Sequence, residues 1–217
     1  MNLQTFVFNF FHVHTMVAWQ DGRSDCVVVD PGDCEEAEHK KLYQYLDSHG
    51  LKPTAILVTH GHPDHNFGVQ GLVERYGCTV YMSADDDKTL DFSADTARKL
   101  GMGLLRTDFP YTAVRDGESL GLAGIGFTVI TTPGHSPGGL CWYAKKEGVL
   151  FSGDTLFRGT IGRTDYPGGS LNDEMRSIRE KLLPLDPDTL VYPGHGLDTS
   201  IGYEKLTNPM LSDDYLM

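Results

Sequence analysis

The sequence predicts a layered α/β architecture built on mixed sheets. Short runs rich in Val, Ile and Phe alternate with amphipathic stretches that stop at glycine, and several of the runs follow one another at hairpin distance. In addition, four apolar runs empty into loops loaded with His, Asp and Gly, as strands do where an α/β sheet builds a site.

Residues 3–8, 13–18 and 26–30 alternate or are dense in Phe and Val, and predict three strands joined by turns such as Gln20-Asp21-Gly22. Leu42, Tyr45 and Leu46 form one stripe over 35–49, predicting a helix that ends at Gly50. A short apolar strand over 54–59 follows. Val69, Leu72, Val73 and Tyr76 predict a helix over 65–76, closed by Gly77, with Pro63 suited to a first helical position because it has no N–H to satisfy. Residues 84–112 are polar and irregular and read as a helical excursion. Short strands return over 113–151, including 127–130 and 148–151. A helix over 171–182, a strand over 189–192 and a short helix over 199–206 complete the pattern. With no repeat, linker or low-complexity tract, residues 1–217 read as a single domain long enough for a good core.

The formal net charge is −12, which repels phosphate backbones and anionic lipid and argues against a nucleic-acid partner. The acidic clusters Glu35-Glu36-Ala37-Glu38 and Asp85-Asp86-Asp87 read as solvated surface. Cys26, Cys34, Cys78 and Cys141 are widely spaced without a C-x-x-C, as free thiols in a reducing compartment would be. No Lys or Arg precedes Arg23, and no run reaches the roughly eighteen apolar residues of a membrane span. The expectation is a soluble, cytoplasmic protein with no membrane partner. The oligomeric state is not legible.

The chemistry concentrates at the four exits. Ala55-Ile56-Leu57-Val58 leads into Thr59-His60-Gly61-His62-Pro63-Asp64-His65. Residues 127–130 lead to Thr132-Pro133-Gly134-His135-Ser136, residues 148–151 to Gly153-Asp154-Thr155, and residues 189–192 to Pro193-Gly194-His195-Gly196. A Pro-Gly-His or Gly-Asp-Thr stretch alone suits an ordinary turn. Four such exits in one chain point to a metal centre, because neutral imidazole and carboxylate are what zinc and similar ions take. His60, His62 and His135 are expected to hold one divalent ion, and Asp64, His65 and His195 a second. Asp154, with two oxygens, is expected to bridge them. Zinc is the first choice, with iron or manganese as alternatives. His12 and His14 read as surface or core-edge residues, and His39 and His49 as the exposed side of a helix.

At these residues the chain resembles the metallo-β-lactamase superfamily: Asp30, the His60–His65 motif, His135, Asp154 and His195 match its pattern in order. The resemblance implies a four-layer αββα sandwich of two mixed β-sheets flanked by helices, with the site at one edge of the sheets. Gly153 to Gly169, "GDTLFRGTIGRTDYPGG", and the ending "EKLTNPML" resemble the shorter glyoxalase II-like, or hydroxyacylglutathione hydrolase-like, members. Longer members carry a C-terminal helical domain that binds glutathione, whereas only a short tail follows Gly196 here. The implied activity is hydrolysis of a small-molecule thioester by a hydroxide shared between two metals. Asp64 and Asp154 then act as catalytic ligands, and Thr59, Ser136 and Asp30 hold the imidazoles. Arg163 is a candidate to meet a substrate carboxylate, or equally to pair with Asp165. Tyr143, beside Lys145 and Lys146, is a second candidate for substrate contact. Persulfide dioxygenases also resemble this chain, through Gly162-Arg163-Thr164-Asp165, and would hold one iron on His60, His135 and Asp154. A lactonase or a phosphodiesterase is a further alternative.

Overall fold

A computed structural model of the chain describes residues 1–99, 101 and 105–212. One six-stranded sheet runs β1 (Asn2–Phe8), β2 (Val13–Trp19), β3 (Asp25–Val29), β4 (Lys52–Leu57), β5 (Thr79–Met82), β6 (Tyr111–Ala113), in that spatial order. Its first three strands are antiparallel and the rest are parallel. Parallel neighbours need crossovers, and three helices supply them: α1 (Glu36–Ser48), α2 (Val69–Tyr76) and α3 (Asp87–Lys99).

The second sheet holds β7 (Ser119–Leu122), β8 (Ile125–Thr131), β9 (Leu140–Ala144) and β10 (Val149–Gly153). A two-stranded ribbon, β11 (Leu156–Phe157) and β12 (Thr160–Ile161), stands apart from it. The helix α4 (Leu171–Ser177) then leads to β13 (Leu190–Pro193), β14 (Thr199–Ser200) and α5 (Ile201–Thr207). The spatial order is β14-β13-β10-β9-β8-β7, with β10 and β13 parallel and the other pairs antiparallel.

Three apolar cores separate four layers. Leu42 and Leu46 of α1 and Val69 and Leu72 of α2 pack on Val28, Ile56 and Val80 of the first sheet. Val27, Val29 and Leu57 face Phe127, Val129, Trp142 and Phe151 across the gap between the sheets. Cys141, Leu150 and Val191 turn the other way, onto Met175 of α4 and Ile201 of α5. Alternation of side chains along each strand sends Cys26 and Val28 to the helices and Val27 and Val29 between the sheets, so β3 is apolar on both faces. This is the expected αββα sandwich of two mixed sheets. Among the described residues, no helix is long and apolar enough to cross a membrane. All four cysteines are free, and burial pushes the Cys26 and Cys141 thiols up to about 12.

Several expectations need correcting. The helix over 65–76 begins only at Val69; Pro63–His65 is a separate 3-10 turn. The Asn66 amide causes the break, donating to the His60 and His62 carbonyls (2.9 and 2.7 Å) and holding the loop out of helical register. The helix over 171–182 widens into a π turn at Ile178–Leu182. The excursion over 84–112 is helical only as far as Lys99, in α3; residues 105–110 are irregular, and residues 100 and 102–104 lie outside the described part. Asp86 is not solvated surface: it is fully buried, between exposed Asp85 and Asp87. His39 is not simply exposed, since its Nδ1 lies 2.5 Å from the buried Asp33 carboxylate, which raises the imidazole pKa. His14, in contrast, is the core-edge residue expected, buried with Nδ1 3.0 Å from the Pro193 carbonyl.

Trp142 is the largest fully buried side chain, and its indole N–H reaches the Val58 carbonyl at 3.3 Å, joining the two sheets. Trp142→Ala is therefore expected to cost about 3–5 kcal/mol, read as a lower midpoint in urea unfolding; a shift near zero contradicts the packing described.

Candidate functional site

Strand ends at one edge of the sandwich deliver the polar groups. Asp30 follows β3, the His60–His65 loop follows β4, His135 follows β8, Asp154 follows β10 and His195 follows β13. Two glycines permit their approach. A Cβ on Gly194 would lie 2.2 Å from Asp154 Oδ1 and 2.7 Å from the His65 ring. Gly153 has φ +50° and meets the Thr59 hydroxyl where a Cβ would stand.

All seven side chains singled out in the sequence converge. His60, His62 and His135 each offer an atom within 4.8 Å of the others, and so do Asp64, His65 and His195. Asp154 lies between these trios. Its Oδ1 is 3.4 Å from His65 Nε2, and its Oδ2 is 3.6 Å from both His135 Nε2 and His195 Nε2. Asp64 Oδ2 is 3.3 Å from His195 Nε2 and 3.6 Å from His65 Nε2. His60 Nε2, His65 Nε2 and Asp154 Oδ1 are buried without a hydrogen-bond partner. Each such orphan costs roughly 1–3 kcal/mol, a penalty that bound cations would remove. The donor set thus fits two divalent ions.

The electrostatics agree. Burial and neighbouring imidazoles hold His60 well below its ordinary value, and burial and His135 hold His62 down at about 4, so both rings are neutral with a free lone pair at neutral pH. Burial opposes ionisation of Asp154, but His65 and the other imidazoles outweigh it and hold the carboxyl well below its usual range. Burial likewise opposes charge on His65, yet Asp154, Asp64 and Asp30 push it well above its ordinary value. A proton stands there in for a cation.

Backbone and carboxylate groups fix the rings. The Asp30 carboxylate accepts from Thr59 N (2.7 Å) and Thr59 Oγ1 (2.6 Å), and lies 2.9 Å from His65 Nδ1. Thr59 Oγ1 is 3.0 Å from His60 Nδ1. His135 Nδ1 meets the Arg163 carbonyl at 2.7 Å, and His195 Nδ1 the Phe11 carbonyl at 3.0 Å. Each Nδ1–H donation leaves the Nε2 lone pair facing the cluster. Thr59 and Asp30 therefore act as expected. Ser136 does not touch an imidazole; its hydroxyl donates to Asp86 (2.8 Å).

Two further carboxyls escaped the sequence reading. Asp86 also accepts from Gly61 N (2.7 Å) and Gly138 N (2.8 Å), tying the His60–His62 loop to the His135 loop. Glu174, fully buried on α4, accepts from His135 N (2.9 Å), and desolvation pushes its pKa up to about 9. The available signal was Glu174 standing beside Met175 and one turn before Ile178, both buried on the inward side of its helix. Asp86, inside an acidic triplet, gave none.

An open cavity of about 240 Å³ lies over the cluster. Arg163 lines it, but its Nε and Nη2 both donate to the Asp165 carboxylate at 2.7 Å, and its guanidinium lies 4.2 Å from the Tyr166 ring centre. Of the two readings of Arg163, the ion pair is the one present. Tyr143 is not at the cavity. It is buried on β9 in the core beneath α4, because strand alternation turns it to that side, and Lys145 and Lys146 lie in the turn that follows.

Two measurements test this geometry. Asp30→Asn is expected to weaken zinc binding about 10–100-fold in a chelator competition, whereas an unchanged affinity removes Asp30 from the support. Glu174→Gln tests the buried acid in metal-free protein. Its pKa is raised from 4.5 to about 9, so the unfolded chain loses this proton first, and the stability Glu174 contributes below pH 4.5 drains away as pH climbs towards 9. The Gln variant is therefore expected to gain stability relative to the parent across that window; parallel pH profiles contradict the burial.

Comparison with known proteins agrees with this site. The family model "Metallo-beta-lactamase superfamily" matches residues 9–195. The chain is 35% identical over 214 residues to the hydroxyacylglutathione hydrolase GloC of Haemophilus influenzae, covering 98% of this chain and 99% of that protein. Among solved structures, it superposes on the BLEG-1 B3 metallo-beta-lactamase with TM-score 0.88 and 35% identity, covering 97% of this chain and 100% of that one. It superposes on TTHA1623 in a di-iron-bound form with TM-score 0.85 and 34% identity, covering 96% and 100%. The fold, the strand-end cluster and these matches together make the chain a member of the metallo-beta-lactamase superfamily.

Proposed function

We propose that the chain is a metal-dependent thioester hydrolase of the glyoxalase II type, acting on a small-molecule thioester. The observation that carries this reading is Asp154 set between two complete trios, within 3.6 Å of His65, His135 and His195. His60, His62 and His135 would hold one divalent cation, Asp64, His65 and His195 the other, and Asp154 both; zinc is the first candidate and iron or manganese the alternatives. Such a pair, when bound, lowers the pKa of a shared water towards neutrality and polarises the acyl carbonyl.

The chain's own groups do the rest. Asp64 and Asp154 would supply the negative charge that holds such a pair, and a carboxylate oxygen lone pair would accept from the water and orient it. Thr59, Asp30, the Arg163 carbonyl and the Phe11 carbonyl hold four imidazoles in one tautomer, so the site does not reorganise as charge develops. No protein nucleophile is required, because a thiol with a pKa near 8.5 departs as thiolate without a proton donor. Similarity over the whole length of GloC, named a hydroxyacylglutathione hydrolase, supports the thioester over a lactone. One-iron dioxygenase chemistry would use only His60, His135 and Asp154, and would leave Asp64, His65 and His195 without a task.

Elemental analysis and S-lactoylglutathione hydrolysis, measured on the protein and on Asp154→Asn, test this function. The variant is expected to lose cations and turnover together. Full activity without the carboxylate, or oxygen uptake with glutathione persulfide in place of hydrolysis, would falsify the reading.

A further inference from the structure

The cavity mouth differs in character from its floor. Phe11, Phe92, Pro63 and Tyr166 line it, and the three aromatic side chains are 41%, 46% and 45% exposed. Phe10, 61% exposed, packs tilted against Phe11 with ring centres 4.3 Å apart and extends the same surface outward. Rings left in water next to a catalytic cluster suit an apolar ligand that covers them.

The segments that carry the rings are tied to the cluster. The carbonyl of Phe11 meets His195 Nδ1. The residue after Phe92, Ser93, donates its hydroxyl to the Gly61 carbonyl (2.8 Å), fixing α3 to the loop that carries His60 and His62. Tyr166 packs edge-on against the His62 ring, with centres 5.6 Å apart. The collar thus has a set position relative to the reacting centre. Its charge is equally set. Among the described residues lining the cavity, Arg163 is the cationic side chain other than histidine, and Asp165 already occupies its Nε and Nη2 donors. On a chain of net charge −12, an arm bearing carboxylates finds no unpaired Lys or Arg there.

We infer that this mouth holds an uncharged apolar group, aromatic or alkyl, on the thiol side of the substrate, and does not recognise an ionised carrier such as glutathione by ion pairing. The inference rests on the thioester reading and narrows its substrate class.

Two comparisons test it. With metal-loaded protein, S-benzyl thioacetate is expected to show kcat/KM about tenfold above S-acetylglutathione, which carries the same acyl group, with no loss on raising salt. Phe92→Ala and Phe11→Ala are expected to raise KM for the benzyl ester about tenfold. The second comparison needs no turnover. Calorimetry should show benzyl methyl sulfide binding and weakening in both variants, and S-methylglutathione not binding. Tighter binding of S-methylglutathione that falls with salt or in Arg163→Gln overturns the inference, as does sedimentation showing a dimer that Phe92→Ala dissociates. Sulfide binding without hydrolysis of either ester would leave the collar standing and remove the thioesterase. Preferred cleavage of the glutathione ester would do the reverse.

Discussion

The structure turns on Asp154. A carboxylate with 13% of its side chain exposed sits among the ring nitrogens of His65, His135 and His195, with one oxygen lacking any hydrogen-bond partner. Burying such a charge is costly unless cations surround it. Protonated imidazole can meet part of that need, as the raised His65 shows, but only at the expense of a lone pair the cluster otherwise presents. Divalent cations would satisfy the carboxylate and the orphaned His60 and His65 nitrogens together.

That demand explains the shell around the cluster. Four loops from two sheets must be held in one mutual arrangement, and hydrophobic packing between sheets is non-directional. Buried carboxyls supply the direction. Asp30 joins the Thr59 backbone to His65, Asp86 joins the Gly61 loop to the Ser136–Gly138 loop, and Glu174 joins α4 to His135. The cores beneath position the strand ends, and these carboxyls convert that placement into fixed ring orientations.

The strand exits and all seven converging groups were legible because metal chemistry selects few residue types and strand ends are short and punctuated by glycine. The sandwich itself came from the resemblance, since periodicity alone indicated only layered mixed sheets. Asp86 was misread because a charge triplet looks the same whether or not its middle residue meets four buried donors. Tyr143 was misplaced because proximity in sequence to Asp154 says nothing about which face of β9 it occupies; one step of strand alternation puts it in a core. The break at Asn66 depends on two carbonyls that exist only once the His60–His62 loop has folded.

Whether seven side chains hold a cation pair with Asp154 shared is best tested by X-ray absorption on the zinc-loaded protein. The account predicts imidazole scattering around each ion and a metal–metal vector of about 3.5–4 Å. Ions with imidazole ligands but no metal neighbour, at full loading, would contradict it.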